Sequence, residues 1–271
     1  MTGSGLQTGL PLGGVTVVVT RPREQAQGLL SSLNEAGANV INFPTLEIEP
    51  VCLGEPDKAK ILNLDCYEFV ICVSPNAARL GLPALADYWP QWPVQQKWIA
   101  VGPATGAAMA DWQLNLEIAQ QGSTSESLLQ WPQLQNMAQR KVLILRGQGG
   151  RETLAQTLTA RGAQVDYIEL YRRALPKVDC SSLERILAAG ERVILTVTSG
   201  DGLRNLLVLL EKQVKPLQQC PLIVVSGRLL EFAQNLGFQH VALARSAASE
   251  DIFDAVVQLQ SEPANHFKPA E

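Results

Sequence analysis

Serine, threonine, glycine and arginine recur in this chain directly behind short apolar runs. Thr20-Arg21-Pro22-Arg23 closes the first run, Ser74-Pro75-Asn76 follows FVICV, and Gly102-Pro103-Ala104-Thr105 follows WIAV. Arg146-Gly147-Gln148-Gly149-Gly150-Arg151 follows KVLIL, Thr198-Ser199-Gly200 follows RVILTV, and Ser226-Gly227 follows LIVV. Ser123-Thr124-Ser125 and Ser249-Glu250 occupy later turns. At strand-to-helix corners such turns present backbone N–H groups and hydroxyls, which hold anions. Each has a plainer explanation alone. Ser74, Thr105, Ser199 and Ser249 are good N-caps, and Pro75 and Pro103 suit a first helical turn. Four or more together point to a large ligand with several negative charges.

Among the arginines, Arg146 stands out, at the end of an apolar strand before a glycine-rich turn, with Arg151 expected one turn into the next helix. A guanidinium there could hold a carboxylate bidentately. It could equally pair with Glu152 or Asp166. Gly147-x-Gly149-Gly150 resembles a dinucleotide loop, but Glu152 occupies the place of the third glycine, and no P-loop motif occurs. Tyr171, in ELYRRALP, either packs or, if its segment lines a cleft, donates a proton to a departing oxygen.

Other chemistries are poorly supplied. There are two histidines, His240 and His266, and five cysteines without a C-x-x-C pair, so a zinc site or a histidine triad is hard to build. The cysteines read as reduced thiols of a cytosolic protein. A formal net charge of -4 sets nucleic-acid binding low, and no apolar run reaches the ~20 residues of a membrane span.

The elements that must position these residues are strands alternating with helices. VTVVVT, NVINF, FVICVS, WIAVG, LEIAQ, KVLILR, QVDYIEL, RVILTVT, LIVVS and HVALA are apolar almost throughout, as strands covered on both faces are. Helical spacing such as Leu29-Leu30-Leu33 separates them, so the fold class is α/β with parallel sheets. A shift of 125 residues lays Arg21 on Arg146, Leu33 on Leu158, Gly37 on Gly162, Ser74 on Ser199 and Gly102 on Gly227. The chain therefore reads as a duplication of two similar halves. PTLEIEPV and ELYRRALP are extended and end near prolines, as linkers between domains would.

At these residues the chain resembles the uroporphyrinogen-III synthase family over about residues 15–260. TRPREQAQGLLSSLNEAGANVINFPTLEIEP, YEFVICVSPNAARL, IAVGPATGAAM and VLILRGQGGRETLAQTLTARGAQVDYIELYRR carry the likeness in order. The resemblance implies two flavodoxin-like domains joined by a two-stranded linker, with an active-site cleft between them. Domain 1 would take 14–45 and 174–260, domain 2 would take 51–168, the linkers would be 46–50 and 169–173, and 1–13 and 261–271 would be disordered tails.

The implied reaction is cofactor-free cyclisation of hydroxymethylbilane with loss of water and inversion of the last ring, through a spiro intermediate. By motif position Tyr171 would assist loss of the hydroxyl. Thr20, Arg21, Ser74, Asn76, Gly102, Thr105, Arg146, Gly147, Arg151, Ser199 and Ser226 would bind substrate. Ser226-Gly227-Arg228-Leu229 departs from the family's Gly-Pro-x-Thr turn, so Ser226 would have to replace a hydroxyl. The expected protein is a cytoplasmic monomer acting on a linear tetrapyrrole, without metal, membrane or nucleic acid, with the upstream bilane-forming enzyme as a partner. The rival reading is a two-domain cytosolic binding or sensor module without catalysis.

Overall fold

The computed structural model describes residues 10–119 and 125–261. Ser123, Thr124, His266 and most of both expected tails lie outside the described residues. The chain divides into two compact units, one built from residues up to Glu47 together with those from Leu175 onward, the other from Ile48–Ala174.

In chain order the first unit opens with β1 (Thr16–Val19), α1 (Arg23–Glu35) and β2 (Asn39–Asn42). The second comprises β3 (Glu47–Pro50), α2 (Glu55–Leu62), β4 (Phe69–Cys72), α3 (Pro75–Ala86), β5 (Lys97–Ala100), α4 (Pro103–Met109), β6 (Leu116–Ile118), α5 (Ser125–Leu128), β7 (Lys141–Gly147), α6 (Thr153–Ala160) and β8 (Gln164–Ala174). The chain then completes the first unit with α7 (Ser181–Ala188), β9 (Val193–Val197), α8 (Gly200–Leu209), α9 (Val214–Gln219), β10 (Leu222–Val224), α10 (Gly227–Asn235), β11 (Val241–Leu243) and α11 (Ser249–Ser261).

The first unit's sheet runs β11-β10-β9-β1-β2, and the second's runs β3-β8-β7-β4-β5-β6. Neighbours are parallel throughout the first sheet and from β8 to β6 in the second. Helices cover both faces, which is why successive valines can all be buried. Val17 and Val19 enter the cluster around Leu29 and Ile194, while Val18 enters the opposite one around Leu195 and Leu206. In the second unit Ile71 and Ile144 face the Leu158 side, and Val70, Leu143 and Leu145 face Trp98 and Leu82.

The 125-residue shift is a structural repeat. The strand starts Thr16, Asn39, Lys97 and Leu116 fall on Lys141, Gln164, Leu222 and Val241, the first residues of their counterparts, and Phe69 falls on Ile194 within β9. Gly37 and Gly162 are equivalent for a reason of backbone shape. Both adopt left-handed φ, +90° and +95°, and the next residue's N–H closes on the carbonyl of Leu33 or Leu158. That geometry stops α1 and α6 at the same point and returns the chain to the sheet.

Segments 46–50 and 169–173 were expected as a two-stranded linker, and the division between the units falls at 47/48 and 174/175. They belong to β3 and β8, which continue the six-stranded sheet at its edge, tied by the Val51 N–H donating to the Leu170 carbonyl at 2.9 Å. Pro50 is tolerated on an edge strand, where no partner needs its missing N–H. Order also reaches further than expected at both ends. Leu12 is fully buried beneath α1, with its N–H on the Ala36 carbonyl, and Ser261 ends α11. Among the described residues no helix is long and apolar enough to cross a membrane.

Candidate active site

In parallel sheets the carboxyl ends of the strands face helix N-termini, and ligands gather there. In the second unit that edge holds a cavity of about 260 Å³, lined by Ser74, Arg146, Gly147, Arg151, Tyr171 and Arg173 among others. Ligand sites for whole small molecules run to roughly 300–1,000 Å³. A space of this size suits one ring of a larger ligand.

Tyr171 reaches the cavity because β8 carries a bulge. Arg146 pairs with Glu169 but Gly147 pairs with Tyr171, so one residue of β8 is skipped. The skip lets the adjacent Leu170 and Tyr171 both turn to the same apolar cluster. The ring lies directly over Gly147, where a Cβ would stand 2.5 Å from the tyrosine Cζ. Only glycine leaves that space. The Tyr171 phenol is 2% exposed as a residue, and its oxygen is 2.9 Å from the Ser74 hydroxyl. Ser74 caps α3, accepting from the Ala77 N–H at 3.1 Å. One serine thus fixes a helix start and a phenol together.

Arg146 lines the same cavity and is also bonded within the unit. It is 3% exposed and its donors are engaged within the unit. Nη1 meets Glu152 at 2.8 Å, Nη2 donates to the Gly150 carbonyl, and Nε donates to the Gly147 carbonyl at 3.2 Å. The guanidinium also stacks over Tyr167, 4.6 Å from its ring. Arg146 therefore clamps the glycine-rich loop, as the pairing with Glu152 had allowed. Tyr167 donates to the same carboxylate at 2.7 Å. Glu152 is held below its usual pKa by Tyr167 first and Arg146 second. Burial and the bond to Glu152 push the Tyr167 phenol up to about 12. Arg151 lies in the loop ahead of α6 and pairs with Glu126 at 2.8 Å, both side chains being exposed.

The remaining second-unit residues stand apart from this cavity's lining. Asn76 lies in the first turn of α3, half-buried and with no hydrogen bond among the described residues. At α4 the N-cap is Gly102, in extended backbone, and Thr105 sits buried inside the first turn. In the first unit, Ser199 and Ser226 cap α8 and α10, accepting from Gly202 and Leu229 N–H groups at 3.0 and 3.3 Å. The Thr20 hydroxyl points inward and donates to the Thr196 carbonyl at 2.7 Å, so it is committed to the sheet. Arg21 is half-buried, burial lowers its basicity, and its Nε has no partner. The repeat explains the contrast with Arg146. Gln27 stands where Glu152 would be, and α1 begins earlier than α6, so among the described residues no carboxylate or loop carbonyl bonds the guanidinium.

Sequence reading passed over Arg173. It lies two residues beyond Tyr171, on the same strand face, with its guanidinium carbon 6.0 Å from the tyrosine ring centre. Arg172 points elsewhere and pairs with Glu49. The signal was present in the period of two, hidden by the assumption that the strand had ended. Among the described residues no cluster of three or more His, Cys, Asp or Glu is placed to hold a metal ion.

The sequence model of the family described as uroporphyrinogen-III synthase HemD matches residues 27–254. The uroporphyrinogen-III synthase of Escherichia coli K12 is 32% identical over 245 residues, covering 89% of this chain and 100% of that protein. That of Salmonella typhimurium LT2 is 32% identical over 249 residues, with 89% and 100% covered. Crystal structures of a mutant uroporphyrinogen III synthase from Thermus thermophilus and of the Helicobacter pylori enzyme share the fold. Their TM-scores are 0.62 and 0.57 at 17% identity, covering 92% and 90% of this chain and 100% and 99% of theirs.

Proposed function

The chain belongs to the uroporphyrinogen-III synthase family, and on that premise we propose which of its groups carry the family's reaction. It is a cyclising lyase: hydroxymethylbilane loses water and closes to uroporphyrinogen III with ring D inverted. The observation that carries the residue assignment is the Tyr171–Ser74 pair over Gly147.

The ring bearing the hydroxymethyl group enters the second unit's cavity with its hydroxyl at the Tyr171 oxygen. The pyrrole nitrogen pushes its electron pair into the ring and the C–O bond breaks. Tyr171 gives its proton to the departing hydroxyl, which leaves as water. Ser74 accepts from Ala77 and keeps its own hydrogen for the phenol oxygen, so it supports the negative charge developing there. The substituted carbon of ring D attacks the exposed methylene carbon, the spiro intermediate opens, and the bond re-forms with the ring reversed. The proton shed by ring D as it regains aromaticity restores the phenol. Holding a flexible bilane so that this carbon reaches the methylene is the larger part of the task. The N-termini of α3 and α4, in the same unit as the cavity, receive substrate carboxylates.

Tyr171→Phe is expected to lower kcat by about 10²-fold with the fold intact. The assay is conversion of enzymatically generated hydroxymethylbilane with the products separated as type I and type III isomers. Unchanged kcat removes Tyr171 from the chemistry, and type I product alone from the unsubstituted protein removes the whole reading. The protein is further read as a cytoplasmic monomer receiving its bilane from the enzyme that makes it. All five cysteines are free thiols, as suits a reducing compartment. Light scattering with and without that enzyme tests the association.

A further inference from the structure

Three arginines line the cavity beneath Tyr171, and they are not equivalent. Arg146 is buried with its donors on Glu152, Gly150 and Gly147. Arg151 is paired with Glu126. The exposed Arg173 side chain has no ion pair and no hydrogen bond among the described residues, and its guanidinium carbon lies 6.0 Å from the Tyr171 ring centre. Its position is set by the same bulge that sets Tyr171, because the two alternate onto one face of β8. Its neighbour Arg172 is held by Glu49 on the other face, which orients the strand end.

We propose that Arg173 is the specificity residue of this cavity, taking a carboxylate of the pyrrole ring whose hydroxymethyl group stands at Tyr171. The inference rests on that placement of the reacting ring. Departure of the hydroxyl leaves a cation on this ring. An unpaired guanidinium beside it would oppose that charge, whereas one neutralised by the ring's own carboxylate does not. Arg173 therefore favours rings that bring an acid with them, both in binding and in the charged intermediate. A guanidinium suits the planar carboxylate better than an ammonium does.

The test uses the whole chain and two probes: hydroxymethylbilane, and a monopyrrole bearing one acetate and one propionate compared with its dimethyl ester as inhibitors. Arg173→Gln is expected to raise KM about 10-fold or more, with Arg173→Lys in between. In the unsubstituted protein the diacid should inhibit more tightly than the diester, and Arg173→Gln should abolish that difference. Unchanged KM in a folded Arg173→Gln protein, or a diacid preference that survives it, overturns the proposal. Tyr171→Phe separates this from the chemistry. If it retains both full kcat and the diacid preference, the tyrosine reading falls while Arg173 stands. If it loses turnover and Arg173→Gln changes neither KM nor inhibition, the reverse holds.

Discussion

The Tyr171 ring lies where it does only because Gly147 carries no Cβ to displace it. Gly147→Ala would put a methyl group into the Tyr171 ring. The ring, not the backbone, would yield. We expect kcat to fall toward that of Tyr171→Phe together with a stability loss of about 1–3 kcal/mol from displacing a buried ring, read by steady-state turnover beside a thermal melt. Arg146 makes the opposite case. Arg146→Ala removes bonds to two loop carbonyls and a carboxylate. It should cost about 1 kcal/mol or more in urea unfolding, because the buried Gly147 carbonyl and the half-buried Gly150 carbonyl lose their donor. Tyr171, Ser74 and the glycine loop were legible as types in sequence order. The engagement of Arg146 with Glu152 and the loop carbonyls was not, since an arginine before a glycine turn reads alike whether its partner is Glu152 or a ligand.

Tyr167 offers a titration at the same scale. Its folded pKa, about 12, lies above the ordinary tyrosine value of 10. The neutral phenol is therefore the form that the fold stabilises. That contribution is complete below pH 10 and is lost as pH rises through about 12. Glu152 has the opposite sign, its pKa being lowered, so its contribution is present above the ordinary carboxylate range and is lost on acidification. Ultraviolet titration should show Tyr167 ionising late, and Tyr167→Phe should reduce the late component without abolishing it, because burial and its bond to Asp166 also raise the Tyr67 phenol. Ionisation at the ordinary value would mean that the bond to Glu152 does not persist in solution.

Elements explain why the strand reading was good and its ends were not. Among the described residues the ten apolar runs are ten of the eleven strands, because a strand buried on both faces cannot hide in sequence. β3 was missed as a sheet member because Glu47, Glu49 and Pro50 are edge residues, polar by necessity. β8 was cut short because Arg172 and Arg173 look like a strand end, although the bulge carries it on to Ala174. Ser74 shows how an element and a site share one residue. Ser74→Ala is expected to cost about 1 kcal/mol through the lost cap of α3. It should also lower kcat, by removing the donor to Tyr171. A stability loss with unaltered kcat would confine Ser74 to capping.

At the scale of the molecule, duplication and exchange coexist. Each unit presents one strand order, β2-β1-β9-β10-β11 in the first and β8-β7-β4-β5-β6 in the second, so corresponding strands occupy corresponding places. The repeat was visible in the sequence as an offset, but an offset cannot say which copy of β1–α1–β2 joins which sheet. The resemblance to a known family, not the periodicity, suggested that exchange. Since Ile48–Ala174 is continuous and has its own sheet and two apolar clusters, it should fold when expressed alone. A cooperative melt of the 48–174 fragment is expected, and a featureless one would mean the unit depends on the rest of the chain.

That continuity has a consequence on the ribosome. β1 emerges early, yet its partner β9 begins only at Val193, after the whole inserted unit has been made. At roughly 5–20 residues per second, the opening βαβ segment waits about 10–30 s with its valines and leucines uncovered. The nascent chain thus completes the inserted unit before the segment ahead of it can close its sheet, and that waiting segment is the one most in need of a chaperone.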